Sequence, residues 1–66
     1  MAVAKVIEVT GGSGKGLEDA IIQGVSRAAD SLDQVEGAWI QDIKLLIKNG
    51  KIAEWRVNMK VTFILK

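Results

Sequence analysis

Covalent chemistry near neutral pH needs a group that gives or takes a proton, and the usual ones are missing. The 66 residues contain no His and no Cys. The hydroxyls are Thr10, Ser13, Ser26, Ser31 and Thr62, and none has an evident partner base beyond scattered lysines. Asp42 and Glu54 fall on neighbouring predicted strands that could bring them together. With Lys44 and Lys60 close by, however, exposed carboxylates read first as solvated charge pairs. An enzyme is not expected, and neither is a metal centre of nitrogen or sulfur ligands. What remains are groups that grip. Trp39 and Trp55 are the ring systems large enough to stack on a flat ligand.

The glycine run Gly11 to Gly16 invites a phosphate-cradle reading, but its spacing fails. A P-loop needs Gly, four residues, then Gly-Lys-Ser/Thr, and here position 9 is Val and position 16 is Gly. The dinucleotide fingerprint fails as well, because Gly12 and Gly14 are followed by Leu17 where a third glycine belongs. A plain turn leading into a helix is the simpler reading, with Gly16 at the N-cap and Asp19 closing an imperfect capping box. A mononucleotide seated on Gly11 to Gly16 would instead favour a small nucleotide-binding enzyme.

The elements that must position the gripping groups are legible in the hydropathy pattern. From Lys51 to Lys66 the odd positions Ala53, Trp55, Val57, Met59, Val61, Phe63 and Leu65 are all apolar, while Glu54, Arg56, Asn58, Lys60 and Thr62 between them are polar. Alternation this long predicts a half-buried antiparallel strand of roughly 50 Å, the spine of a sheet. Trp55 sits mid-way along its apolar face, where core packing is the natural role. Ala2 to Thr10, rich in β-branched residues, reads as a first strand. Leu17 to Leu32 carries Leu17, Ala20, Ile21, Gly24, Val25, Ala28, Ala29 and Leu32 at helical spacing. Ile22 lies off that stripe and is a candidate subunit contact. Asp33 to Gly37 connects to a strand from Ala38 to Lys48, with Trp39, Gln41, Ile43, Leu45 and Ile47 on one face and Ile40, Asp42, Lys44, Leu46 and Lys48 on the other. Asn49-Gly50 then predicts a type I′ hairpin into the spine.

The predicted order is β-α-β-β, an α+β fold. If the spine inserts between the other two strands, a three-stranded antiparallel sheet of order 1-3-2 wraps one helix. Residues 1-66 make a single domain, and a domain this small buries only about 60% of its unfolded surface. Without Cys or His the usual reinforcements reduce to self-association, and a hydrophobic share of 48% points the same way. The net charge of +1 gives no reason to expect a nucleic-acid or anionic-membrane partner. No apolar run approaches a bilayer span, the N-terminus lacks the features of a secretory signal, and a cytoplasmic protein is expected.

Five segments taken together resemble the dodecin family: Lys5-Val6-Ile7-Glu8-Val9, the glycine turn ending in Ser13, Leu17-Glu18-Asp19-Ala20, the Asn49-Gly50-Lys51 hairpin, and Arg56 to Phe63. The resemblance covers nearly the whole chain. It implies a hollow homododecamer of β-α-β-β protomers that sequesters flavins as stacked pairs between subunits, a flavoprotein buffer or store and not an enzyme. It also implies a site. In flavin-binding members a Trp, three residues before the apolar residue matching Ile40, stacks on the ring; that position here is Gly37. A Gln on the last strand hydrogen-bonds the ring; that position here is Arg56. Asp42 matches a carboxylate near the flavin side chain. On one reading Trp39, two residues beyond Gly37, offers a displaced stacking platform, and Arg56 either stacks as well or forks onto a phosphate. The ligand expected is therefore FMN or coenzyme A ahead of riboflavin. The alternative is a variant without flavin, in which Arg56 salt-bridges a neighbouring subunit and the assembly serves as a shell or holds another ligand or cations.

Overall fold

The computed structural model describes residues 3–65. Strand β1 (Val3–Ser13), helix α1 (Leu17–Ser31), strand β2 (Val35–Lys48) and strand β3 (Lys51–Leu65) follow in that order. The sheet order is β1-β3-β2, with β3 antiparallel to both neighbours. The expected α+β fold is thus the observed one. Ala2 and Lys66, placed at strand ends by the sequence reading, lie outside the described residues.

The spine supplies the core. Val57, Met59 and Val61 are almost fully buried and meet Ala20 and Ala28 of α1, with Ile7, Val9, Ile21, Val25, Val35 and Trp55 packed around them. Each such aliphatic side chain contributes about 1.5–3 kcal/mol on leaving water. Two members of the predicted helix stripe, Leu17 and Ala29, are exposed instead, because the helix contacts the sheet along a narrower seam centred on Ala20, Gly24 and Ala28.

Glycine makes that seam narrow. The run expected to be a turn from Gly11 onward is still strand as far as Ser13, with Gly11 opposite Val57 and Gly12 opposite Arg56. A Cβ at Gly11 would lie 2.1 Å from the carbonyl oxygen of Ala20, so only a glycine admits the helix this close. The turn proper starts after Ser13, whose hydroxyl donates to Asp19 Oδ2 (2.5 Å) and accepts from the Lys15 amide (2.9 Å). Asp19 is therefore engaged by Ser13, and Gly16 caps the helix without a side-chain bond. A paired, extended Gly11–Ser13 segment is not a phosphate cradle.

The hairpin forms as expected, with Asn49 at φ 54° and Gly50 at φ 75°. Strand β2 begins at Val35, earlier than the alternation suggested. A 15-residue helix is about 22 Å long, against roughly 50 Å for the 15-residue strand β3. The helix packs mainly on β1 and β3, leaving Ile40, Ile43 and Leu45 of β2 between 44% and 49% exposed. The result is an open body of 51 × 19 × 13 Å with a radius of gyration of 13.5 Å. A compact chain of this length has roughly 11 Å. Its surface of 4813 Å² likewise exceeds the roughly 4,100 Å² of a compact monomer of this mass.

Candidate functional site

The site residues stand on the sheet face turned away from the helix, and register decides which residues share it. Residues directly opposite one another in an antiparallel pair project to the same side. Lys60 faces Glu8 on β1 and Trp39 on β2; Asn58 faces Thr10 and Asp42; Arg56 faces Gly12 and Lys44. Thr62 similarly lies between Val6 and Gly37. Successive rows are about 7 Å apart along the strands.

One irregularity makes this grouping. Between Ile40 and Asp42 the register with β3 shifts, leaving Gln41 as an extra residue. Strict alternation placed Trp39 with Ile43 and Leu45, and Asp42 with Ile40. The bulge reverses this. Trp39 joins Asp42 and Lys44 on the polar face, while Ile40, opposite Met59, joins Ile43 and Leu45 on the helix side. All four residues singled out from the sequence, Gly37, Trp39, Asp42 and Arg56, are consequently on one face.

Their surroundings differ. Trp39 is 49% exposed on an edge strand. Nothing lies within 4 Å of where a Gly37 side chain would begin. Asp42 is held by a chain of hydrogen bonds across all three strands: Thr10 Oγ1 donates to Asn58 Oδ1 (2.7 Å), and Asn58 Nδ2 donates to Asp42 Oδ1 (2.5 Å). This fixes the amide orientation and, among the described residues, leaves Asp42 Oδ2 as a free acceptor. Arg56 Nε donates to Glu54 Oε2 at 2.5 Å within the same strand. The suggested approach of Asp42 and Glu54 does not occur, because Glu54 pairs opposite Leu46, four residues from Asn58 along β3 and so roughly 13 Å away.

Around the middle rows a hollow of about 490 Å³ is lined by Glu8, Val9, Thr10, Gln41, Asp42, Asn58, Met59 and Lys60. From the sequence, Lys60 is noted only as a charge near Asp42 and Thr10 only as a hydroxyl, while Glu8 and Asn58 are given no site role. Their even spacing marked a polar face, but their company with Asp42 depends on register and the bulge. A second groove of about 570 Å³ lies between α1 and β1, with Ile7, Val9, Gly24, Ala28, Gln23 and Arg27 among its lining residues.

The family model described as Dodecin matches residues 3–66. The chain belongs to the dodecin family. Among solved structures, dodecin from Streptomyces davaonensis is 31% identical with a TM-score of 0.95, covering 98% of this chain and 96% of that one. Dodecin from Streptomyces coelicolor is 29% identical with a TM-score of 0.94, covering 98% and 93%. A calcium-chelating immunodominant antigen from Mycobacterium tuberculosis, described as a calcium dodecin with a novel calcium-binding site, is 28% identical with a TM-score of 0.85, covering 97% and 91%. Comparison with curated proteins gives no match. Gly37 and Arg56 stand where the sequence resemblance implied a stacking Trp and a Gln. No group of three or more His, Cys, Asp or Glu side chains able to hold a metal comes together among the described residues. No helix among them is long and apolar enough to cross a membrane.

Proposed function

We propose that this dodecin is a cytoplasmic, non-enzymatic store for a phosphorylated flavin, working as a homododecamer. The single observation that carries the reading is the common face of Trp39, Asp42 and Arg56 in three successive rows, with a stacking ring at one end, a free carboxylate oxygen in the middle and a guanidinium at the other. Trp39 stacks on the ring system, Asp42 Oδ2 accepts from side-chain hydroxyls, and Arg56 meets the phosphate. From the Trp39 row to the Arg56 row is roughly 14 Å along the strand, a span that suits a flat ring joined to a phosphate by a short polyol. Gly37 leaves the neighbouring position bare, so a single ring platform per protomer carries the stacking.

Self-association follows from the same protomer. Ile40, Ile43, Leu45 and Ile47 form an exposed apolar flank on β2, and the excess surface of the open body has to be covered for a chain without cysteine to be stable. The twelve-subunit number comes from the family resemblance. The test is a fluorescence titration of the assembled protein with FMN and with riboflavin, together with light scattering. Quenching of FMN at lower protein concentration than riboflavin supports the reading, and equal or tighter riboflavin binding rejects the role given to Arg56.

A second reading has one observation in its favour. Arg56 is already neutralised by Glu54, so the chain could be a dodecin shell that leaves flavin alone. An assembled protein that quenches neither flavin would select it.

A further inference from the structure

We infer that Glu54 is an internal latch on an anion site formed by Arg56 and Lys44, setting how strongly the polar face takes a phosphate group. The inference rests on the flavin reading for its choice of natural ligand but not for the anion site itself.

Lys44 and Arg56 stand directly opposite each other on adjacent strands. Like charges in that relation oppose sheet pairing, and nothing in the core requires them there, since both project from the face away from the helix. On the other side of Arg56 the row ends in Gly12, which has no side chain. The space above Gly12 is where the Glu54 carboxylate lies: a Cβ built on Gly12 would come within 2.9 Å of Glu54 Oε2. Glycine at this position therefore leaves room for Glu54 to turn along its own strand onto Arg56 Nε. The carboxylate occupies the place a phosphate oxygen would take on the guanidinium. With the two cations against one carboxylate, the local charge is +1 with the latch closed and +2 when it is displaced.

Displacement is cheap. The Arg56 and Glu54 side chains are 49% and 33% exposed, and an exposed ion pair of this kind is worth little. A dianionic phosphate can take Arg56 bidentately and gain Lys44 as a second cation, whereas a neutral ligand has no reason to move Glu54. The latch thus acts on phosphorylated ligands only, making Glu54 and Lys44 specificity-determining residues that need not touch the ring.

The experiment is calorimetric titration of the assembled protein, at low ionic strength, with inorganic pyrophosphate, FMN and riboflavin. Wild type is compared with Glu54→Gln, Glu54→Ala, Lys44→Gln and Arg56→Gln, each checked for unchanged assembly by light scattering. Both Glu54 variants are expected to tighten pyrophosphate and FMN on the order of threefold, with riboflavin unmoved. Lys44→Gln weakens the two anions several-fold, and Arg56→Gln removes pyrophosphate binding. If pyrophosphate follows this pattern while neither flavin binds, the flavin reading falls and the latch stands. Glu54 variants that bind pyrophosphate no better than wild type overturn the latch, and so does a rise in riboflavin affinity equal to that for FMN. An unchanged Lys44→Gln removes Lys44 from the site.

Discussion

Gly11 of β1 and Gly24 of α1 lie backbone to backbone: a Cβ on Gly11 would sit 3.0 Å from the Gly24 nitrogen, and one on Gly24 would sit 3.3 Å from the Gly11 Cα. The two residues are mutual clearances, and they let a single helix sit low enough to bury Met59. The consequences are unequal. An added methyl at Gly11 meets the Ala20 carbonyl at 2.1 Å, a backbone atom that cannot step aside, whereas the first obstacle at Gly24 is the flexible end of Met59 at 2.6 Å. Gly11→Ala is expected to destabilise by about 3 kcal/mol, the upper range for overpacking. Gly24→Ala should cost less, because alanine's better helix propensity returns up to about 1 kcal/mol. Denaturant midpoints of the two variants measure the difference, and equal losses would contradict it.

Replacing Asn49 by Val should destabilise by about 1–2 kcal/mol, since a β-branched residue resists the left-handed conformation that Asn49 adopts. Asn49→Gly should be nearly neutral. Thermal unfolding of the pair separates a backbone requirement from any side-chain role of Asn49.

Trp39 is half exposed and its ring contributes little to the core, so Trp39→Ala should leave the unfolding midpoint close to wild type. On the proposed reading it lowers FMN affinity tenfold or more, as loss of a stacking platform is worth about 1–3 kcal/mol. Gly37→Trp is its converse. The position is open and on the same face, so the added ring should raise affinity for FMN and riboflavin alike. Titration by ligand fluorescence reads both, and a Gly37→Trp protein that binds no better than wild type would refute the common face as a flavin surface.

Ile43→Glu places a charge in the apolar flank of β2 that the protomer's own helix leaves uncovered. Because the side chain is 49% exposed in the protomer, the fold itself tolerates the change. Light scattering should report smaller species than wild type at equal concentration. Full-size assemblies would move the interface elsewhere.

Much of this was legible in the sequence, and the parts that were not share a cause. The spine, the helix, the Asn49-Gly50 hairpin and the 1-3-2 order rest on local signals repeated over many residues, where periodicity averages out exceptions. The glycine run was read as turn because glycine's permissiveness is a turn signal. Gly11 is strand because a helix three-dimensionally adjacent to it needs the missing Cβ, a contact that no local pattern encodes. Asp19 was read as part of a cap, but the Ser13 hydroxyl reaches it first. Gly37, Trp39, Asp42 and Arg56 were each singled out, yet alternation put Trp39 and Asp42 on opposite sides of β2. A bulge has no firm sequence signature, and Gln41 offers none. In the sequence, Glu54 reads only as a partner for Asp42. Its engagement with Arg56 two residues away follows from the bare surface at Gly12, which becomes visible only when β1 and β3 are in register.

The pairing of β1 with β3 runs without a slip, while every register shift in the sheet falls between β2 and β3. Which side of the protomer meets the ligand is therefore a matter of parity, decided by a single odd residue. Were Gln41 instead drawn into line and paired like its neighbours, with every gripping group left in place, Trp39 would turn toward the helix and Ile40 outward, and the protein would keep its composition of binding residues while losing the surface they make.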